Sequence, residues 1–478
     1  MKRRTFLGTT ASLGAALGLP PVLRGQTLRP FRPDDAVAPL LALIEDSPQA
    51  GLVEAVAARI RAGATYPQVL AALLLAGVRN IRPRPSVGFK FHAVLVVHAA
   101  HQAAQTAPDA DRWLPLLWAI DHFKRPQAEE KRVSGWTQKP PAENKIPPAD
   151  RARDAFVEAM EKWDEDAADA AATAVARHLP PAQAFELFAR YAARDFRSIG
   201  HKAIYCAGAF RLLTLIGWAH AEPVLRSLAY AYLAHEGAAP DGTAAADRPW
   251  ARNRVLAKDL PEGWRAGSDD GALEVLATCR AASDEDVPAR VVELLRKGAS
   301  AASMWDGLFL HAGELLMRRP NIASLHEVTT ANAVRHLYDA TADDATRRLL
   351  LLQMAAFAPL FRGDPTKLSN VRIDALPGAA PDRVEAVFES GEKAASAQAA
   401  LGWLSKGSAA DFIETARRLL FAKGRDAHDY KFAMAALEDH AKVSPRWRDR
   451  VLASSVYWLK GAGSPDNGLV ERIRAALR

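Results

Sequence analysis

The sequence predicts an almost entirely α-helical protein, a multi-helix array with duplicated helical modules around a central histidine-lined pocket. Alanine and leucine dominate the chain, and both favour helices. Apolar residues recur at helical spacing, while the alternation of Val, Ile, Thr and Tyr that is typical of strands is scarce. With 478 residues, of which 49% are hydrophobic and 24% charged, the chain is long enough for a large core.

Residues 1–26 predict an export signal rather than a part of the fold. Arg3 and Arg4 precede a weakly apolar stretch that runs from Leu13 to Leu19, and this order resembles a twin-arginine signal. We therefore expect the chain to use the twin-arginine export machinery and to reside in the periplasm or outside the cell. The apolar stretch is too short to span a membrane, and no other window predicts a span.

Charge and cysteine content argue against two other classes of protein. The formal net charge is +7, and it falls to +3 without residues 1–26, which carry four basic side chains and no acid. The basic balance is therefore poor support for nucleic-acid binding. Cys206 and Cys279 are the only cysteines, too few for a disulfide framework, and Cys206 lies in an apolar helical run that is typical of a buried thiol.

Residues 27–478 are predicted to form one all-α domain that three long loops interrupt. The loops cover residues 125–150, 236–250 and 362–382. Loops of this length inside a compact domain often border a binding site. Trp136 and Trp250 lie on two of the loops, where they would either cover an apolar ligand or anchor their own loops.

An imperfect internal repeat places histidines near the starts of helices. Residues 73–104 and 308–340 share one order: a helix, then Ala-Gly, then Arg-Pro, then a helix that begins near a histidine. That histidine is His92 in the first copy and His326 in the second. Duplicated modules that each direct one histidine from a first turn would explain why the segment SLHEVTTANAV begins this way.

His201 and His428 begin helices in the same manner. In all four helices the seventh residue after the histidine is small. These residues are Ala99, Gly208, Ala333 and Ala435. Because seven residues make nearly two helical turns, each imidazole shares its face with a shallow surface. This pattern leaves room for a metal ion and a substrate between the helices.

Lys431 follows His428 by three residues and lies on the same helical face. A cationic lysine beside ligand histidines would repel a metal ion. A desolvated lysine loses its proton more readily and can then react with carbon dioxide to form a carbamate, which is an anionic oxygen ligand. Several imidazoles and one such oxygen suit Fe(II), Mn(II) or Zn(II).

Four segments that contain these residues resemble the motifs of the questin oxidase family: KFHAVLVVHAA, GHKAIYCAGAF, LHEVTTANAV and DAHDYKFAMAA. The resemblance implies an oxidoreductase, a non-haem iron oxygenase that opens aromatic, quinone- or phenol-like substrates with O2, here as an exported bacterial member. It implies that the iron is held by four histidines and a carboxylated lysine: His92, His201, His326, His428 and Lys431. The second family motif usually reads His-Pro-Leu-Ile-His, and this chain has Tyr205 in place of the second histidine.

Other residues near these motifs have candidate roles. Tyr205 and His220 are candidates for proton transfer. His98 is an alternative to His428 as the fourth ligand, and His122 is a candidate for contact with the substrate or the ligands. Three acids that adjoin histidines are candidates to orient an imidazole: Asp121, Glu327 and Asp429.

Two further functions are compatible with the same pattern. A zinc metallohydrolase would use the same ligands to activate a water molecule. A non-catalytic helical-repeat scaffold would bind a partner on its concave face, and its histidines would then be ordinary helix-start residues. Metal content separates the scaffold from the two enzymes, and oxygen uptake separates the oxygenase from the hydrolase.

Overall fold

The computed structural model confirms the all-α class. It describes residues 34–83, 87–105, 107–233, 243–379 and 381–478. The structure is 70% helical, and the described residues form 22 α-helices and no strand. The predicted export signal, residues 1–26, lies outside the described residues. None of the described helices is long and apolar enough to cross a membrane.

The helices are short to medium in length and follow one another closely. Before residue 234 they are α1 Ala38–Asp46, α2 Leu52–Arg61, α3 Tyr66–Asn80, α4 His92–Gln105, α5 Leu114–Val133, α6 Ala152–Lys162, α7 Glu165–His178, α8 Pro181–Tyr191, α9 His201–Ile216 and α10 Ala221–Leu233. After residue 243 they are α11 Arg248–Leu256, α12 Ala272–Ala281, α13 Asp286–Arg296, α14 Ala301–Arg318, α15 Ile322–Ala340, α16 Asp344–Arg362, α17 Ala386–Glu389, α18 Lys393–Leu404, α19 Ala409–Lys423, α20 Ala427–Asp439, α21 Arg448–Ser454 and α22 Leu469–Leu477.

Four spans that apolar periodicity predicts as single helices are each divided in two. Residues 36–62 break between α1 and α2, and residues 382–405 break between α17 and α18. Residues 151–178 break at Trp163, which has a left-handed backbone with φ of 58°, and Asp164 then caps α7. Residues 198–235 break at the short turn Trp218–His220. Periodicity does not reveal such breaks, because the helices on both sides bury their apolar residues against the same core.

The first predicted loop, residues 125–150, is shorter than the sequence suggests because α5 continues through Pro126. Pro126 has no amide to donate to the carbonyl of His122, so the helix loses one hydrogen bond at this point. The next turn is held from outside: the Glu130 carboxylate is buried and lies 2.7 Å from the Lys90 ammonium. This ion pair keeps the end of α5 helical, and the loop begins only after it.

The other two predicted loops are confirmed in part. In the second, residues 236–242 lie outside the described residues, and residues 248–250 are the first turn of α11. In the third, residues 362–382, the chain leaves α16, and its described residues after Arg362 are irregular apart from the short turn Pro365–Lys367. The prediction of a loop is therefore wrong for residues 248–250. Pro249 lies in the first turn of α11, a position that favours helix initiation.

One hydrophobic cluster extends through the described helices, from Val37 to Ile473. Cys206 and Cys279 are free, buried thiols within it. Four of its helices pack in a closed ring, with α4 against α9, α9 against α15, α15 against α20, and α20 against α4. This ring, called the four-helix ring below, contains all four of the histidine modules.

Candidate metal centre

The four histidines occupy matching places in the four-helix ring. His92 and His201 are the first residues of α4 and α9, His428 is the second residue of α20, and His326 is the fifth residue of α15. The N-terminal ends of the four helices therefore meet at one end of the ring.

The four imidazole rings converge at this end, as the repeat predicts. The ring centres of His201 and His326 are 4.4 Å apart, and that of His92 is 4.9 Å from His201. The His428 ring is centred 4.5 Å from His92 and 5.2 Å from His326. Nitrogen atoms of His92, His201 and His326 lie within 4.8 Å of one another, close enough that all three could bind one metal ion. His428 lies against two of these three rings, and the four rings together form the candidate metal centre, called the centre below.

The closest pair of ring nitrogens has a separation that suits a shared ion. The Nε2 atoms of His92 and His201 are 3.0 Å apart. Two nitrogens that bind one metal at right angles, each about 2.1 Å from it, are about 3.0 Å apart. The same distance also fits a hydrogen bond between two neutral imidazoles, so it is compatible with the ion and does not by itself require it.

Two of the histidines use their Nδ1 atoms outside the centre. His201 donates from Nδ1 to the carbonyl of Ser198 at 2.7 Å, and His326 donates from Nδ1 to the carbonyl of Ile322 at 2.6 Å. A carbonyl only accepts, so Nδ1 carries the proton in both rings. Burial, and then the nearby Lys431 charge, hold the pKa of both imidazoles well below the ordinary value. Both rings are therefore neutral, and each Nε2 keeps the lone pair that a metal ion binds.

A carboxylate orients the fourth ring. Nδ1 of His428 lies 2.7 Å from Oδ1 of Asp426, which also caps α20 by accepting the His428 amide at 2.8 Å. These bonds to His428 hold the pKa of Asp426 well below its usual range. Among the described residues, Nε2 of His428 and Nε2 of His326 are buried and have no hydrogen-bond partner. The sequence prediction missed Asp426, although a capping aspartate two residues before a histidine is a usable signal.

The three acids that the sequence predicts as orienting residues bind elsewhere. Glu327 lies 2.6 Å from Nδ1 of His311, a histidine outside the centre. Asp121 accepts from the side chain of Gln49 at 2.9 Å. Asp429 accepts backbone amides at the start of α20 and lies 2.8 Å from a lysine of the C-terminal segment. Glu327 therefore lies against an imidazole, but one outside the centre and not its neighbour in the chain, because adjacent helical residues point about 100° apart. The prediction is wrong for Asp121 and Asp429, whose contacts above are with other groups.

Lys431 is buried among the converged rings. Its side chain is 4% exposed, and its Nζ has no hydrogen-bond partner among the described residues. Its charge acts on both His201 and His326. Burial lowers the pKa of this amine to about 7. A buried cation without a partner is unfavourable, and the helix N-termini that meet here favour an anion over a cation.

Close packing explains the small and polar residues that follow His326 in α15. Gly200 directly precedes His201 and has φ of +83°, a conformation that favours glycine. A Cβ atom at Gly200 would lie 2.6 Å from Cγ2 of Thr330 and would overlap its Oγ1. Only glycine allows α9 to begin this close to α15, and this approach brings His201 to His326.

His98 does not replace His428 at the centre. Its Cβ would lie 3.2 Å from a Cβ placed at Gly208 of α9, so the two helices are in close contact there. Burial lowers the pKa of its imidazole, and the charges that act on it most are those of Arg211 and Glu438, which lie farther along the four-helix ring. The alternative of His98 as the fourth ligand is therefore wrong. His98 follows His92 by six residues, which is well over one helical turn, so it lies deeper along α4 than the ends of the helices that meet at the centre.

The predicted proton-transfer residues have different surroundings. The Tyr205 ring packs edge-on against Phe91 at 5.1 Å, and burial raises the pKa of its hydroxyl. His220 is buried, which lowers its pKa, and its Nε2 lies 3.9 Å from the Asp34 carboxylate. Their roles in proton transfer stay predictions.

An aromatic stack borders the Asp426 side of the centre. The rings of Trp118 and His122 are stacked with centres 5.0 Å apart, and Trp118 also stacks on Tyr430 at 4.3 Å. The pKa of His122 is lowered by burial, although the nearby Asp426 opposes this shift. His122 is therefore next to the carboxylate that orients His428, as its candidate role near the ligands requires.

The two loop tryptophans pack against other tyrosines. Trp136 stacks on Tyr230 with ring centres 6.4 Å apart, and Trp250, in α11, lies 6.4 Å from Tyr191. The pockets that these tryptophans border are lined by other residues than the four histidines. These contacts favour the anchoring role over the covering role.

Taken by its chemistry, the centre offers four ring nitrogens and one amine in a largely buried space. Imidazole nitrogens are ligands for zinc, copper, iron and nickel. No protein-family model, no curated protein and no solved structure matches the chain. The geometry of these five side chains is therefore the basis for a functional proposal.

Proposed function

We propose that this protein is a metal-dependent oxygenase for an aromatic, quinone- or phenol-like substrate, with non-haem iron bound by four histidines and a carboxylated lysine. One observation carries the metal site: Nε2 of His326, Nε2 of His428 and Nζ of Lys431 are buried together without hydrogen-bond partners among the described residues. A folded chain rarely leaves buried polar atoms unpaired. A bound cation would satisfy all three at once.

Carboxylation of Lys431 would convert the unfavourable amine into a ligand. The neutral amine nitrogen forms a bond to the carbon of CO2, one C–O double bond becomes a C–O⁻ bond, and the nitrogen loses a proton. The product is a carbamate with one negative charge. Burial at a pKa of about 7 supplies the neutral amine that the reaction needs, and the helix N-termini favour the anion that results.

The set of donors favours iron over zinc. Zinc sites in proteins are almost always four-coordinate, and catalytic zinc usually has three protein ligands. Four imidazoles and one carbamate oxygen would supply five donors, a set with nitrogen and oxygen that suits Fe(II), with Mn(II) as the alternative. Fe(II) would bind O2 and supply its first electron.

The chain's own residues would hold the imidazole rings in place and keep bulk water out. The carbonyls of Ser198 and Ile322 and the carboxylate of Asp426 would fix ring orientation, because each accepts or shares the proton on Nδ1. Burial of the rings would limit the access of bulk water. Tyr205 and His220 remain the candidates for proton transfer to the substrate.

Elemental analysis tests the metal site. The full-length chain, purified anaerobically without a histidine tag, is expected to hold about one iron per chain. His326→Ala and Lys431→Ala should lose it, and added bicarbonate should not rescue Lys431→Ala. Lys431→Glu should recover part of it, because a carboxylate approximates the carbamate with a shorter reach. Iron contents that are equal in all four proteins would refute the site.

The metal and its reaction then separate the remaining functions. Oxygen uptake by the iron-loaded protein in the presence of phenols or quinones supports the oxygenase. Zinc in place of iron, with hydrolytic activity and no oxygen uptake, would indicate a metallohydrolase. Absence of any bound metal would leave the helical-repeat scaffold.

Export in the folded state would fit such a centre, because the metal would be loaded before the chain leaves the cytoplasm. Replacement of Arg3 and Arg4 by lysine should then retain the protein in the cytoplasm. Cell fractionation measures this outcome, and unchanged export of the double variant would contradict the proposed route.

A further inference from the structure

The inner faces of the four-helix ring match one another beyond the histidines. Seven residues after the histidine, each helix has one small residue: Ala99, Gly208, Ala333 and Ala435. Ten residues after it, each helix has one polar residue: Gln102, Arg211, His336 and Glu438. In helices that pack side by side, residues separated by seven and by ten or eleven positions return to the inner face. The ring therefore has a small layer between the metal centre and a polar layer.

The polar layer is assembled across all four helices. Arg211 donates to Oε1 of Glu438 at 2.6 Å and to Nδ1 of His336 at 2.8 Å. Gln102 donates to Oε2 of Glu438 at 3.4 Å. Hydrogen bonds between side chains thus connect the four helices at the polar layer, as the imidazole contacts connect them at the centre. Ten residues of helix correspond to about 15 Å, which is the distance between the two polar ends.

Unfilled space lies between these ends. Ala333 is 5% exposed, Ala99 is 5% exposed and Ala435 is 6% exposed, although all three face the interior of the ring. Ala331 and Ala100, on other faces of α15 and α4, are completely buried. Accessible surface on inward-facing alanines means that a water-sized sphere fits beside them. The alanine methyl groups line this space, together with His98, which packs against Gly208, so it suits a mainly apolar occupant.

The polar layer has one donor without an acceptor. Arg211 can only donate, so Nδ1 of His336 must accept, and the ring is then neutral with its proton on Nε2. Burial, and then the adjacent Arg211 charge, also hold the pKa of His336 well below the ordinary value. This Nε2 is buried and has no hydrogen-bond partner among the described residues. Glu438 lies 2.6 Å from Arg211 and 3.5 Å from Lys442, so both cations have a carboxylate partner and the donor without an acceptor belongs to the neutral His336 ring.

We infer that the space between Ala99, Ala333 and Ala435 is a ligand chamber that takes an uncharged apolar molecule with a carbonyl or similar acceptor, which receives the Nε2–H of His336. The apolar body of the ligand lies against the small layer, and its other end faces the metal centre. The identification of this ligand as a substrate rests on the proposed function. The chamber itself does not, because its walls and its donor exist without the metal.

A matched pair of probes tests the ligand class. 1-Indanone is a fused-ring ketone, and indane has the same carbon skeleton without the oxygen. Binding to the full-length chain, both iron-loaded and chelator-treated, is measured by calorimetry under nitrogen. Wild type should bind indanone at least about fivefold more tightly than indane, a factor that one hydrogen bond can supply. His336→Phe should remove this preference, and His336→Gln, which keeps a donor, should recover part of it. A preference that persists in His336→Phe, or no binding of either probe to wild type, would overturn the assignment.

Filling the chamber tests its location. Ala333→Leu should weaken indanone binding at least about tenfold while iron content and thermal midpoint are maintained, because the added atoms enter empty space. Ala331→Leu is the matched control: it should lower the thermal midpoint, since overpacking a filled core is destabilising. Equal losses of thermal midpoint in the two variants, or unchanged indanone binding by Ala333→Leu, would overturn the chamber. Iron is measured in every sample, so loss of the metal site and loss of the chamber are separate outcomes.

Discussion

Replacement of Lys431 by methionine should have opposite effects on the protein with and without its metal. Methionine has a similar length and no polar atom that needs a partner. In the iron-loaded protein the variant lacks the proposed carbamate ligand, so iron content should fall. In the metal-free protein the variant lacks a buried nitrogen for which the described residues provide no hydrogen-bond partner. The free energy of unfolding should therefore rise.

The magnitudes follow from the burial of the side chain. An unpaired polar group in the interior destabilises a fold by about 1–3 kcal/mol, and Lys431 is 4% exposed. The metal-free variant should gain about that much stability. Wild type saturated at 100 times the dissociation constant for iron gains about 2.7 kcal/mol from binding. The variant should lose most of this gain, so addition of Fe(II) should cancel or reverse the difference in stability between the two proteins.

Urea denaturation of chelator-treated and iron-loaded samples measures both effects. Lys124→Met is the matched control, because Lys124 is also buried but donates to the carbonyls of Ile44 and Glu45 at 2.8 and 3.1 Å. That variant should be destabilised in both states and should retain its iron. Lower stability of metal-free Lys431→Met than of wild type would refute the reasoning, as would equal iron in the two proteins.

Two further substitutions probe the surroundings of the centre, and a third probes the buried acid next to Glu438 of the polar layer. Asp426→Asn should weaken iron binding about 10–100-fold by loosening the orientation of His428, which titration against a competing chelator measures. Gly200→Ala should lower both the thermal midpoint and the iron content, because the left-handed backbone alone costs about 1–2 kcal/mol and the new Cβ overlaps Thr330. Burial raises the pKa of Asp439 to about 7, so the folded state keeps a proton that the unfolded state loses, and stability falls as the pH rises from about 4 to 7. Asp439→Asn should remove at most about 4 kcal/mol of this pH dependence, and a slope equal to that of wild type in urea denaturation at pH 5 and 8 would contradict it.

Local chemistry was enough to predict the helical class and the convergence of the histidines. Helix propensity and apolar spacing act within a few residues, so they can be read from the chain alone. The placement of His92, His201, His326 and His428 near helix starts is also local, and repetition of one module implied that the four starts would meet. Lys431 was predicted beside them from its spacing to His428.

The tertiary structure decided which atoms around the centre are paired. The Nδ1 partners of His201 and His326 are backbone carbonyls, and no side-chain pattern marks them. Glu327, which adjoins His326 in the chain, lies instead against His311 of α14, because adjacent helical residues point in different directions.

The same limit applies to the loops and to the polar layer of the ring. Trp136 and Trp250 pack on tyrosines of distant helices, and no local rule fixes the partner of a loop side chain. The residues Arg211, His336 and Glu438 follow the histidines at a constant spacing that is visible in the sequence. Their contacts across three helices, and the space beside the small residues, depend on how the helices pack. Local spacing determines which residues share a helix face, but only tertiary packing determines which faces meet, because the faces come together when their apolar residues are buried.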